Sequence, residues 1–163
     1  MQTNLKFKNP YTTSQTSVLV LLRMLIGWHL LYEGLVKLLN PNWTSAGFLM
    51  QSEGFLKGFS NWVISSPKAL HFVDLLNEWG LAILGLCLIL GLFTRFASLM
   101  AGVLLMLYYL NNPPLLDTVK TAQGNYLIIN QLLIESVTLF ALYFFPTGKI
   151  VGLDMFIDYF KRK

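Results

Sequence analysis

Four runs of mainly apolar residues divide this chain, at about 17–39, 70–93, 94–110 and 125–145. Each is close to the roughly 20 residues that an α-helix needs to cross the hydrocarbon of a bilayer. Strong breakers close three of them: Asn40 with Pro41, Asn112 with Pro113 and Pro114, and Pro146. Proline removes a backbone donor and clashes with the preceding turn, so a helix stops there. The second and third runs abut with almost no turn between them, which predicts an antiparallel hairpin. With 55% hydrophobic and only 12% charged residues and a mean hydropathy of +0.56, the chain is too apolar for an ordinary soluble domain. The expected fold is an all-α integral membrane four-helix bundle, one domain over residues 1–163.

Two stretches outside the runs are more than plain loops. Residues 43–66 mix Trp43, Phe48, Leu49, Phe55, Phe59 and Trp62 with polar residues at helical spacing, as one or two short helices lying in the membrane interface would. The tail, 150–160, places Leu153, Phe156, Ile157 and Phe160 on one face and Asp154 with Asp158 on another. That pattern predicts a surface helix. Four spans put both termini on one side of the membrane. Lys6, Lys8, Arg95, Lys149, Lys161, Arg162 and Lys163 would gather there, against Lys57, Lys68 and Lys120 opposite. The bias of basic residues toward cytoplasmic loops makes that side the cytoplasm of a bacterial inner membrane. The first run lacks a small-residue cleavage site and is expected to be a retained helix.

The net charge of +4 sits mainly at the ends of apolar runs, so it orients the protein and implies no nucleic-acid partner. One cysteine, Cys87, allows no disulfide framework and no CxxC redox pair. His29 and His71 are the only histidines, and His71 falls at an interface. Neither haem nor a metal is expected.

Ionisable side chains inside a span are costly unless they pair or face a wet cavity, so each is a candidate site residue. At 100° per residue, Arg23, His29, Glu33 and Lys37 share one face of the first helix and must look into the bundle. The second run adds Asn77, Glu78 and Trp79, and the fourth adds Asn130, Gln131 and Glu135. Counted at about 1.5 Å per residue from the outer end, Glu33 and Glu78 lie roughly 10 Å deep, and His29 and Glu135 roughly 15 Å. These groups are expected to share one pocket in the outer half of the bilayer. Arg23, roughly 10 Å deeper, reaches Glu135 only through its long side chain or water. Lys37 is one turn from Glu33, the spacing of a helix ion pair. Tyr108, Tyr109, Trp28 and Tyr32 fit an aromatic belt at the interfaces. The glycines 27, 34, 80, 85, 91 and 102 fit close-packing points between helices.

Several motifs carry a resemblance. The stretch 23–27, reading RMLIG, and 33–37, EGLVK, resemble the first helix of the DoxX/DoxD family of small bacterial membrane proteins. Residues 78–85, EWGLAILG, and 90–95, LGLFTR, are similar to its second helix and following turn. The NPP of 112–114, the NQLLIE of 130–135 and the TGKIVGLD of 147–154 resemble the DoxD branch, the membrane subunit of thiosulfate:quinone oxidoreductase. Nearly the whole chain is covered. The resemblance implies quinone as electron acceptor, thiosulfate or a related small reductant as donor, and a partner redox subunit. Gln131 stands where a basic residue is expected.

In this reading Glu33, His29, Glu78 and Glu135 bond the quinone carbonyls and move protons. Arg23, Lys37, Asn130, Gln131 and Trp79 bind substrate or quinone. A reading of another class is a non-catalytic membrane module that binds lipid or scaffolds a partner membrane protein. Its charges would pair completely and leave no cavity. A transporter is disfavoured, because four spans without an inverted repeat are few. The glycines on lipid-facing surfaces would permit a homodimer.

Overall fold

The computed structural model describes residues 11–53, 55–114 and 128–161. The N-terminal tail and residues 125–127, assigned from the sequence to the fourth run, lie outside that set. Every regular element among the described residues is a helix, and none is a strand.

Helix α1 spans Thr13–Leu38. It starts four residues before the apolar run because its start signal is polar. The Thr12 hydroxyl accepts from the Gln15 backbone N–H at 3.3 Å, and the Gln15 side chain accepts from the Thr12 N–H at 2.9 Å. This capping box satisfies donors that the first turn would otherwise leave bare. Two short helices follow, α2 (Ala46–Met50) and α3 (Lys57–Ser65), in the segment expected to hold one or two. Ser66 is extended ahead of Pro67, as a residue before proline prefers to be.

The second run begins three residues earlier than expected and is interrupted. Helix α4 (Pro67–Leu75) passes through a π turn, Leu76–Gly80, into α5 (Leu81–Leu90). Gly91 ends α5 in the left-handed conformation, with φ 67°, which glycine adopts without the Cβ penalty. Helix α6 is Thr94–Asn111 and α7 is Gln131–Phe144. The fourth helix thus starts later than the expected 125. The Asn130 side chain accepts from the Leu133 N–H at 3.0 Å, and an N-cap residue is itself non-helical. Helix α8, Asp154–Lys161, is amphipathic and exposes Phe156 and Phe160.

Four of these helices meet in a closed circuit: α1 lies against α5, α5 against α6, α6 against α7 and α7 against α1. Leu30, Leu81, Leu88 and Leu139 fill the centre with Ala97 and Ala101. The α1–α5 seam is close because it is built on glycine. A Cβ on Gly85 would sit 2.6 Å from the Gly27 carbonyl oxygen, and one on Gly34 would sit 2.8 Å from Ala82 Cα. Two helices, Thr13–Leu38 and Pro67–Leu90, are long and apolar enough to cross a membrane, and only 28% of each apolar window is buried within the protein. Their outer faces, Leu21, Leu25, Trp28, Ile83 and Leu86 among them, are exposed hydrocarbon. Lipid, not water, is the solvent such faces fit.

A candidate ligand site between two adjoining chambers

Near the α2 end of α1, Lys37 Nζ donates to Glu33 Oε2 at 2.6 Å and to the Glu33 carbonyl at 3.2 Å. The same ammonium lies 5.6 Å from the centroid of the Trp43 ring, a cation–π contact. About one turn deeper, His29 Nδ1 is 2.9 Å from the Glu135 carboxylate. Glu135 also accepts from Gln131 Nε2 at 2.8 Å, across one turn of α7.

Glu33, Lys37 and His29 of these pairs border two cavities. The larger, about 630 Å³, is mostly apolar and runs beneath α2 and α3, with Phe48, Phe59, Leu104 and Leu107 in its walls. The smaller, about 250 Å³, is lined by His29 and Gln131. Glu33, Lys37, Tyr108 and Leu132 line both, so these four form the wall between them.

The π turn supplies the next contact. A π turn widens the helix by one residue, displaces the regular ladder and recurs at functional sites. Here it aims Asn77 inward. Asn77 Nδ2 donates to the Val73 carbonyl at 2.7 Å, and the Tyr108 hydroxyl donates to Asn77 Oδ1. The roof is pinned from the same side of the molecule. The Asp74 carboxylate accepts from the Ser45 N–H (2.8 Å), the Ser45 hydroxyl (2.5 Å) and the Thr44 hydroxyl (3.0 Å). Ser52 and Ser60 donate to Asn111 Oδ1 at 2.9 and 2.6 Å.

At the opposite end of the helices lies a second polar knot. Arg23, 3% exposed, donates from Nη1 to Thr147 Oγ1 at 3.0 Å and from Nη2 to the Val151 carbonyl at 2.8 Å, with Asp154 as an acidic neighbour. Gly91 lies directly beneath it. A Cβ there would be 3.0 Å from both terminal nitrogens and 2.7 Å from Gly152 Cα. Arg23, Gly91 and Gly152 of the family-like stretches therefore close this end of the helices.

His29, Glu33, Lys37 and Gln131 thus come together around the two chambers, and Glu135 stands behind them, bonded to His29 and Gln131. The others do not join them. Arg23 does not reach Glu135, because Thr147 and Val151 hold its guanidinium at the far end. Asn130 is buried, and its side-chain oxygen caps α7. Glu78 lines neither chamber and makes no side-chain hydrogen bond among the described residues, and Trp79 is exposed. The π turn is the reason, since it changes which residue of 77–79 faces inward. Asn111 and Asp74 carried no signal beyond being polar beside apolar runs. Among the described residues, no three His, Cys, Asp or Glu side chains lie close enough to hold a metal ion.

No curated protein and no solved structure gives a match to this chain. The family model that does match is DoxX, over residues 18–110, from within α1 almost to the end of α6. That stretch supplies Glu33, Lys37, Asn77 and Tyr108 to the chambers. Its match, together with lipid-suited apolar faces, makes this chain a membrane protein of the DoxX family.

Proposed function

We propose that this chain is the membrane subunit of a quinone-linked oxidoreductase and that the larger chamber receives the quinone head group. One juxtaposition carries the reading. An apolar chamber of about 630 Å³ shares a wall of Glu33, Lys37 and Tyr108 with a smaller chamber lined by Gln131 and by His29, whose ring is bonded to Glu135. Ligand sites of roughly 300–1,000 Å³ are usually apolar with a few placed polar groups, and a ring with an apolar tail suits such a site. When bound, a quinone accepts two electrons and two protons. The chain's own part is electrostatic and acid–base. Lys37 is placed to donate to a carbonyl oxygen and to offset negative charge. Glu33, 2.6 Å from the Lys37 ammonium, is placed to pass a proton, and His29, with Glu135 behind it, lies across the shared wall. Electrons come from a small reductant, thiosulfate or a related compound, or from a partner redox subunit. The membrane is the bacterial inner membrane, with both termini cytoplasmic by the distribution of Lys and Arg.

A non-catalytic module binding lipid or scaffolding a partner has one observation in its favour, since the charges already pair as Lys37–Glu33 and His29–Glu135. Charges serving packing alone would, however, leave no cavity beside them, and two are present.

The test is gentle purification from the native membrane, followed by mass spectrometry of the small molecules and subunits that accompany the chain. A stoichiometric quinone that is lost in Glu33→Gln supports the proposal. Phospholipid alone overturns it in favour of the lipid-binding module.

A further inference from the structure

We infer that Asn111 is the recognition residue of the larger chamber, which selects an amphiphile able to offer it a carbonyl oxygen. This rests on the reading of that chamber as the ligand site.

Asn111 is the last residue of α6, is 4% exposed, and lines the chamber. Its amide is fixed from one side only. Ser52, 4% exposed, and Ser60, fully buried, donate to Oδ1 from the roof, so the oxygen is doubly engaged and the plane of the amide is set. Nδ2 is buried and has no hydrogen-bond partner among the described residues. Buried side-chain donors are nearly always satisfied, so an orphan calls for a reason. Here three buried polar side chains from three elements converge, and their combined effect is to orient one empty donor. A packing role would be served as well by apolar residues of similar shape. A ligand acceptor that reaches Nδ2 by displacing the atoms covering it completes the arrangement.

The donor dictates the chemistry. An amide N–H pairs with a carbonyl oxygen, whereas an ammonium offers it nothing. Phe48, Phe59, Leu104 and Leu107 require the remainder of the ligand to be apolar. A quinone ring carbonyl and the ester carbonyl of a diacyl lipid both meet this description.

The experiment uses the full chain in lipid nanodiscs, with binding followed through the fluorescence of Trp43, which lines the chamber. Three probes are compared: a short-tailed ubiquinone analogue, a short-chain diacylglycerol, and an alkane of matching length. Asn111→Asp keeps an oxygen for each serine and, when ionised, replaces the amide donor with an oxygen that repels a carbonyl, so binding is read above the pH at which this carboxyl ionises. It is expected to weaken carbonyl probes by about tenfold or more and to leave the alkane unchanged. Loss of quinone binding supports both this inference and the quinone reading. Loss confined to diacylglycerol keeps Asn111 as the recognition residue and overturns the quinone reading. Unchanged binding of both carbonyl probes, or binding of the alkane alone or of no probe, overturns the inference. Should Asn111→Asp fail to fold, Ser60→Ala, which releases one anchor of the amide, is expected to weaken carbonyl binding about threefold or more. Unchanged affinity in that variant overturns the inference as well.

Discussion

The Asp154 carboxylate, at the start of α8, caps the helix that begins sixty residues earlier: one oxygen accepts from the Thr94 N–H at 3.0 Å and from the Thr94 hydroxyl at 2.6 Å. Its other oxygen accepts from the Phe93 N–H at 2.6 Å. An anion at a helix N-terminus satisfies bare donors and complements the dipole. Here it also ties the C-terminal helix to the turn between α5 and α6.

Asp154→Ala removes three hydrogen bonds at once and is expected to cost roughly 1–3 kcal/mol. The measurement is thermal unfolding in detergent. Asp154→Asn keeps one acceptor and should lose about half as much. An Ala variant as stable as the parent would show that the cap contributes nothing.

Arg23 gives a second prediction, one that separates stability from binding. Its forked donors reach Thr147 and Val151 together, and an ammonium cannot reproduce that geometry. Arg23→Lys is expected to lower stability by about 1–3 kcal/mol. Quinone affinity should stay within about twofold, because the residue lines neither chamber. A large loss of affinity at unchanged stability would return Arg23 to the site.

The glycines are not equivalent. Gly85→Val drives side-chain atoms into the Gly27 carbonyl and the Leu31 backbone, and backbone cannot move aside cheaply. We expect a loss of roughly 3 kcal/mol or more, with overpacking at a helix seam as its cause. Gly80→Ala meets nothing within 4 Å and should be tolerated. Yield of monodisperse protein on size exclusion, with melting temperature, distinguishes the two.

Under the quinone reading, Glu33→Gln and Glu78→Gln should differ sharply. Glu33 borders both chambers and holds Lys37, whereas Glu78 lines neither. Glu33→Gln is expected to reduce quinone affinity about tenfold, or about 1.4 kcal/mol, and Glu78→Gln to leave it within twofold. Titration of a short-tailed quinone against both variants is the check, and equal effects would contradict the placement.

Solvent and helices are both legible in the order of the amino acids. Apolar runs of spanning length, proline and glycine stops and sparse charge leave a chain little choice but to be helical in lipid, because each helix satisfies its own backbone. Helical periodicity put His29, Glu33 and Lys37 on one face, and rise per residue put His29 at the depth of Glu135, where the two meet. Boundaries set by caps were misjudged, since Thr12 and Asn130 are polar signals that hydropathy passes over. Which buried polar groups touch is settled by the packing of the folded chain. A π turn rotates Asn77 inward in place of Glu78, although an even 100° step carries no hint of it. The glycine seam between α1 and α5 brings backbones together, and Thr147 and Val151 hold Arg23 away from Glu135. Asn111 ends a helix like many asparagines, and it becomes a directed donor only because Ser52 and Ser60 fold back over it from the roof. Such partners are distant in the chain, and contacts between them depend on helix rotation and packing, which local periodicity does not encode.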